Sequence, residues 1–292
     1  MATRCAASSR RHTHSNDARP TKERVMRKRI RRLLAVAGLL TAAALPATAG
    51  SATANQAAYD WQFVWGDTFD RLDHQKWGVI EGLLSPGTDQ AYTSFAVTTA
   101  NSNLVLNTEK RQYGSKAYTS GMVWTKGRFS FTYGKIEVRA QMPVMGKGIW
   151  PALWLQGNVT GNWPGPGGNE IDFAELWNDP TKVHHALHYA DTPHGTDLGA
   201  NQGCKYTSPV NLSAGYHTYS LIWEPGPKLT YYVDGQQTCQ YTLTGNYFNT
   251  PMHIIMNTAI GASWIGHPDA SVQFPQQFKI DYVRVYQDAN LG

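Results

Sequence analysis

Three carboxylates fall within six residues of an otherwise apolar run, Asn169-Glu-Ile-Asp-Phe-Ala-Glu175. In a regular strand Glu170 and Asp172 share a face, and the next position on that face is 174. Glu175 returns to it only if one extra residue, Phe173 or Ala174, is accommodated in a β-bulge. Counted that way, the two glutamates sit four regular steps apart, roughly 13 Å between Cα atoms at about 3.3 Å per step. Two inward-leaning side chains could bring the carboxyls to the roughly 5 to 5.5 Å at which such a pair cleaves a glycosidic bond by double displacement. Like charges on one face also raise at least one pKa, which keeps a carboxyl protonated to serve as a general acid. The competing uses of such a cluster are a solvated edge-strand face and a calcium site.

The elements that must carry these groups read as strands almost throughout. Tyr118–Trp124, Phe129–Tyr133, Lys135–Arg139, Val183–Tyr189, Tyr216–Trp223, Leu229–Val233, Met252–Asn257 and Phe278–Tyr286 are short, aromatic or β-branched, and mostly alternating. Turn signals punctuate them: Thr125-Lys-Gly127, Glu224-Pro-Gly-Pro227, and Asp234-Gly235, which marks a hairpin. Short strands with regular punctuation predict an all-β fold, a β-sandwich or jelly roll. No repeat or low-complexity tract interrupts 58–288, so this span is expected to be one domain, and the Gly-Pro run at 164–168 a loop within it.

Residues 1–49 differ in kind, holding 11 of the 26 Lys and Arg but only 2 of the 21 acids, which leaves 15 basic against 19 acidic side chains beyond them. The overall pI near 9.0 therefore reflects the leader, and nucleic acid is not expected as a partner. Met26-Arg-Lys-Arg-Ile-Arg-Arg32, then apolar Leu33 to Leu45, then Ala47-Thr48-Ala49 read as an export signal cleaved near Ala49, with 50–57 a short N-terminal segment. Met26 could be the working start, and Arg31-Arg32 could be read by a twin-arginine exporter. The expectation is a secreted, extracellular, monomeric protein without a membrane span. Cys204 and Cys239 are the cysteines left beyond the leader, and an even pair in an exported chain reads as a disulfide. Closing that loop would stabilise by roughly 3 to 4 kcal/mol on the chain-entropy estimate.

Glu170-Ile-Asp-Phe-Ala-Glu175, preceded by Gly148-Ile-Trp-Pro-Ala-Leu-Trp154 and by Phe131-Thr-Tyr-Gly-Lys-Ile-Glu-Val-Arg-Ala140, resembles glycoside hydrolase family 16 in its bulged, laminarinase-like branch. The resemblance runs from about Trp61 to Tyr286, and Phe278–Tyr286 is similar to the family's closing strand. It implies a β-jelly-roll sandwich of two curved antiparallel sheets with a concave substrate cleft. It further implies retaining endo-hydrolysis, Glu170 as nucleophile, Glu175 as acid/base and Asp172 as the carboxylate assisting the nucleophile, with no catalytic cofactor. Asn169, where relatives carry Gly, and the Pro-Gly-Pro-Gly-Gly run depart from the pattern at the cleft entrance.

Sugar polymers pack their C–H faces on aromatic rings, which makes Trp150, Trp163, Trp177 and Trp264 candidate sugar contacts. Trp154 could be core or cleft. Asn257-Thr-Ala-Ile-Gly261 resembles the family's stretch before a cleft Trp, and marks Asn257 as substrate-binding. Val183-His-His-Ala-Leu-His188 resembles another family strand; alternation puts His184 and His188 on one face, with His188 expected to tune Glu175. A zinc site from that pair lacks a third ligand. Asp281 resembles a position that binds structural calcium in many relatives. The substrate expected is a polysaccharide, β-1,3-glucan or mixed β-1,3-1,4-glucan. A galactan hydrolase of agarase or carrageenase type and a transglycosylase are the alternatives within the family, and a non-catalytic lectin the alternative outside enzymes.

Overall fold

A computed structural model describes residues 59–82, 87–200 and 202–290; the expected leader and the 50–57 segment lie outside them. The first half of the described chain contributes β1 (Trp61–Asp67), β2 (Gly78–Val79), β3 (Gln90–Tyr92), β4 (Val97–Thr99), β5 (Leu104–Thr108), β6 (Tyr118–Ser120), β7 (Met122–Trp124), β8 (Gly134–Gln141) and β9 (Ile149–Gly157). The second contributes β10 (Glu170–Glu175), β11 (Lys182–His188), β12 (Cys204–Thr207), β13 (His217–Glu224), β14 (Lys228–Val233), β15 (Gln236–Thr242), β16 (Met252–Ile260) and β17 (Gln276–Asp288). Among the described residues the only helix is one 3₁₀ turn, Ser94–Ala96. The fold is the all-β jelly roll that the strand pattern implies.

Two antiparallel sheets carry almost everything. One has the order β15-β14-β13-β8-β17-β5-β4, with β1 also paired to β17; the other runs β12-β11-β10-β9-β16-β7-β2. A small parallel pair, β3 and β6, lies beside them and was not foreseen from the sequence. Alternation dictates the core: β8 buries Ile136, Val138 and Ala140 while Lys135, Glu137 and Arg139 turn outward. Facing them across the sandwich, β9, β10 and β16 contribute Leu153, Leu155, Ile171, Phe173, Ile254 and Met256, all in one apolar cluster. The opposite face of the second sheet is left free to line a cleft.

Turn chemistry behaves as the sequence suggests at Asp234-Gly235, where both residues have positive φ (49° and 77°), the geometry of a type I′ hairpin turn joining β14 to β15. Two strand expectations need correction. Phe129–Tyr133 is not a strand; its one ladder contact is an isolated bridge from Phe131 to Met252. Its aromatic residues are there to fill the core, since Phe129 stacks on Trp65 and both Phe131 and Tyr133 meet Trp223 edge-on. Tyr118–Trp124 is two strands, because Gly121 lets the chain pass close to its neighbours: a Cβ there would lie 2.9 Å from the Ala96 carbonyl oxygen. Cys204 and Cys239 form a disulfide with 6.1 Å between Cα atoms, joining the edge strand of one sheet to the edge strand of the other.

Candidate active site

The bulge required by the carboxylate spacing is present on β10. Against β9, Asp172 pairs with Trp154 but Glu175 with Ala152; against β11, Asp172 pairs with Ala186 and Glu175 with His184. Three residues on β10 thus oppose two on each neighbour. Phe173 and Ala174 both enter the inter-sheet core, and the Phe173 carbonyl is bonded to His185 Nδ1 at 2.9 Å. With the extra residue absorbed inward, Glu170, Asp172 and Glu175 line one cavity of about 320 Å³, whose walls include Tyr92, Trp150, Trp154 and Asn257.

Each glutamate is held by a tryptophan. Trp163 donates its indole N–H to Glu170 Oε2 at 3.0 Å, and Trp150 donates to Glu175 Oε1 at 2.7 Å. Burial pushes the Glu170 carboxyl up to about 7, opposed by His188 and by the Trp163 hydrogen bond. Burial likewise lifts Glu175 to about 7, the Trp150 bond opposing it and the charge of Glu170 adding to it. Asp172 lies well above the ordinary carboxylate range, driven by burial and then by Glu175 and Glu170. Three clustered acids, two buried and Glu170 half-buried, with few cations nearby cannot all ionise near neutrality, so at least one retains a proton. A site that needs a carboxylate and a carboxylic acid side by side has both.

The aromatic candidates divide around this centre. Trp163, 45% exposed, tilts over His188 with ring centroids 5.6 Å apart, beside Glu170. Beside Glu175, Trp264 stands edge-on to both Trp150 and Trp177 at 4.8 and 4.9 Å, and Trp177 stacks on His184 at 3.4 Å. Burial, with Lys205 and Lys182, holds His184 down to about 4, a neutral ring suited to packing. Asn257 works through its neighbours: it accepts from Trp154 Nε1 at 2.8 Å and donates to the Tyr92 hydroxyl at 2.9 Å. The loop bearing Trp163 is pinned by Asn169, whose Nδ2 donates to the Pro164 carbonyl. Gly157, at the end of β9, lets that loop pass close above the strand, since a Cβ there would lie 2.1 Å from the Gly167 oxygen.

Two expectations change. His188 does not face Glu175 first: its Nε2 lies 3.6 Å from Asp172 Oδ2 and 3.9 Å from Glu170 Oε1, because Glu170 is its register partner. Asp281 does not offer a bare carboxylate to calcium. Its Oδ2 accepts a charged bond from Arg139 Nη1, and that guanidinium also lies over the Tyr216 ring, so an ion there would share the carboxylate with Arg139. Among the described residues the one group of three His, Cys, Asp or Glu side chains whose ligand atoms lie within 4.8 Å of one another is Glu170, Asp172 and His188, which belong to the cleft itself. Sequence reasoning left Trp154 undecided, and it lines the cleft; it missed Tyr92 and Asp197. Asp197, bonded to His188 Nδ1, sits in a loop where no periodicity points to it.

Comparison with known proteins agrees with this geometry. Residues 87–284 match the family model "Glycosyl hydrolases family 16", which spans all three carboxylates. A second model, "Beta-glucan synthesis-associated protein SKN1/KRE6/Sbg1", matches 6–167 and stops short of them. The chain is 32% identical over 251 residues to a beta-glucanase of Rhodothermus marinus, covering 78% of this chain and 85% of that protein. It is 32% identical over 253 residues to a keratan-sulfate endo-1,4-beta-galactosidase of Sphingobacterium multivorum, covering 79% of this chain but 56% of that one. The laminarinase catalytic domain of Thermotoga maritima superposes with a TM-score of 0.72 at 34% identity, covering 79% of this chain and all of that domain.

Proposed function

The chain belongs to glycosyl hydrolases family 16, and from that premise we propose that it is a retaining endo-β-glucanase acting on β-1,3-glucan or mixed β-1,3-1,4-glucan. The observation that carries the reading is the bulged strand that turns Glu170, Asp172 and Glu175 into one cavity while two tryptophans hold the outer pair. In the first step the ionised Glu170 attacks the anomeric carbon and forms a glycosyl ester, while the glycosidic oxygen leaves with the proton of Glu175. In the second, Glu175 takes a proton from water, the water oxygen bonds to the anomeric carbon, and Glu170 departs as carboxylate. Asp172, beside Glu170, stabilises the nucleophile's charge state as it changes. Trp163 on one side of the trio and Trp150, Trp177 and Trp264 on the other offer rings to successive sugars.

A reducing-sugar assay over laminarin, lichenan, xyloglucan, agarose, carrageenan and keratan sulfate tests the substrate. Release from laminarin or lichenan, with the β-anomer formed first by NMR, is expected. Release from agarose, carrageenan or keratan sulfate alone would instead favour a β-galactan substrate, the reading that the galactosidase relative supports. No calcium takes part in the catalytic steps proposed, and a structural ion at Asp281 would share that carboxylate with Arg139. We also read the protein as a secreted monomer, one domain over 58–288, whose mature chain starts near residue 50. Mass spectrometry of the exported material checks this; an intact leader would refute it.

A further inference from the structure

Asp197 lies outside the carboxylate strand, yet both its oxygens are committed in a way that reaches the centre of the site. Its Oδ1 accepts the backbone N–H of Gly199 at 3.0 Å and that of Tyr189 at 3.3 Å, which fixes the carboxylate against the end of β11. Its Oδ2 is left for His188 Nδ1. An acceptor there requires that Nδ1 carry a hydrogen. The other ring nitrogen then faces Asp172 Oδ2 and Glu170 Oε1 at 3.6 and 3.9 Å. A bare Nε2 lone pair would be repelled by an ionised Glu170, and Asp172 Oδ2 is buried without a hydrogen-bond partner. The arrangement is relieved when a proton sits between Nε2 and those oxygens.

We propose that Asp197 is a positioning residue for this site: by accepting Nδ1–H it holds His188 as the imidazolium, whose second proton, on Nε2, faces Asp172 and Glu170. The inference rests on the assignment of Glu170 as nucleophile. The groups facing the ring are Glu170, Asp172 and Glu175 from β10, Asp197 from the loop after β11, and the uncharged Trp163 indole. Burial opposes charging of His188, but Glu170 and Asp197 outweigh it and raise its pKa. The cation so held favours the ionised form of Glu170.

The test is Asp197→Asn. The two backbone N–H groups retain the side-chain oxygen, so the new amide turns its NH₂ toward Nδ1 and forces the opposite tautomer, which cannot readily become imidazolium. Without the cation Glu170 ionises at higher pH. The acid limb of the kcat/KM profile on laminarin, or on the best substrate of the assay above, should move upward from its place near pH 7, with a loss of at least about tenfold near pH 5 that shrinks only as the pH rises past neutrality. KM should change little. An unmoved acid limb, whether activity is kept or lost uniformly, overturns the proposal and leaves only a structural role. If the variant fails to fold by thermal melting, ¹⁵N-histidine NMR of the wild type decides: both ring nitrogens of His188 must be protonated at pH 5, and a ring that carries a proton on one nitrogen alone at that pH overturns the inference. An active Glu170→Ala enzyme defeats the functional reading itself, whereas an inactive one beside an unmoved limb in Asp197→Asn defeats this inference only.

Discussion

Strands β8 and β10 are both interior strands flanked on each side, yet they treat charge in opposite ways. On β8 the alternation is unbroken and every charged residue faces outward into a partner. Lys135 meets Glu137 at 3.3 Å, Arg139 meets Asp281, and Tyr282 donates to Glu137. On β10 the alternation is broken by an extra residue, and three acids turn into a cavity where, among the described residues, the one nearby group able to carry positive charge is His188. Opposite charges in the first case are screened and cost little; like charges in the second are buried and lift one another's pKa. A strand that serves only stability can follow the two-residue period, while the one carrying chemistry departs from it where a charge has to be aimed.

The largest effect should come from the buried acids. Glu170→Ala should lose activity by about 10⁴-fold or more on polymer and on activated aryl glycosides alike. Glu175→Ala should lose roughly 10²- to 10⁴-fold on polymer, yet still cleave a dinitrophenyl glycoside and be accelerated by azide, which attacks without a general base. Turnover of the activated substrate by Glu170→Ala but not by Glu175→Ala would exchange their roles. Next comes the bulge. Inserting one Ala after Ala174 should abolish activity by turning Glu175 to the core face, while deleting Ala174 restores the regular period and should keep the fold and measurable activity. Near-wild-type rates in both variants would break the contrast between the strands.

Stability offers a smaller test. Because the folded pKa values of Glu170 and Glu175 lie near 7, above the ordinary carboxylate value, the folded state binds more protons than the unfolded between about pH 4.5 and 7. Their contribution is therefore fully present below that window and is lost as pH rises through it. Replacing either by Gln should stabilise the protein on the order of 1–2 kcal/mol at pH 8, with little gain at pH 4. Urea unfolding at the two pH values measures this; an equal effect at both would mean that burial does not raise these acids. Smallest of all, Arg139→Gln on β8 should cost no more than about 1 kcal/mol and leave activity unchanged. A chelator should not move the wild-type melting temperature, and a clear drop would restore a calcium role at Asp281.

Much of the site could be read before any coordinates because it is encoded by faces. The E-x-D-x-x-E spacing is incompatible with one face of a regular strand, so the bulge follows from the requirement that the acids meet, and the alternation of His184 and His188 places both beside them. What escaped was set by contacts between distant segments. Trp154 belongs to the cleft because Asn257, 103 residues away, accepts its indole hydrogen. Asp197 reaches His188 through a loop with no period of its own. Phe129, Phe131 and Tyr133 looked like a strand because hydrophobic alternation can serve packing without a ladder, and only the positions of Trp65 and Trp223 distinguish the two.

The disulfide has a mechanical consequence. It bolts β12 to β15, so the two layers are covalently riveted along one margin, whereas the opposite margin ends in β2 and β4, strands of two and three residues with nothing comparable across them. The sandwich is thus a hinged book, with its spine at the cysteines and its pages free at the other side. Fraying is expected to begin at the free margin, where the last strands are two and three residues long. Strand β10 lies two places from the spine and four from the loose edge. Reduction of the Cys204–Cys239 bond would remove the spine and open a second front beside the carboxylates themselves. Amide exchange along β10 and β11 would then quicken relative to β7 and β16, giving the molecule a redox-dependent order in which its parts come undone.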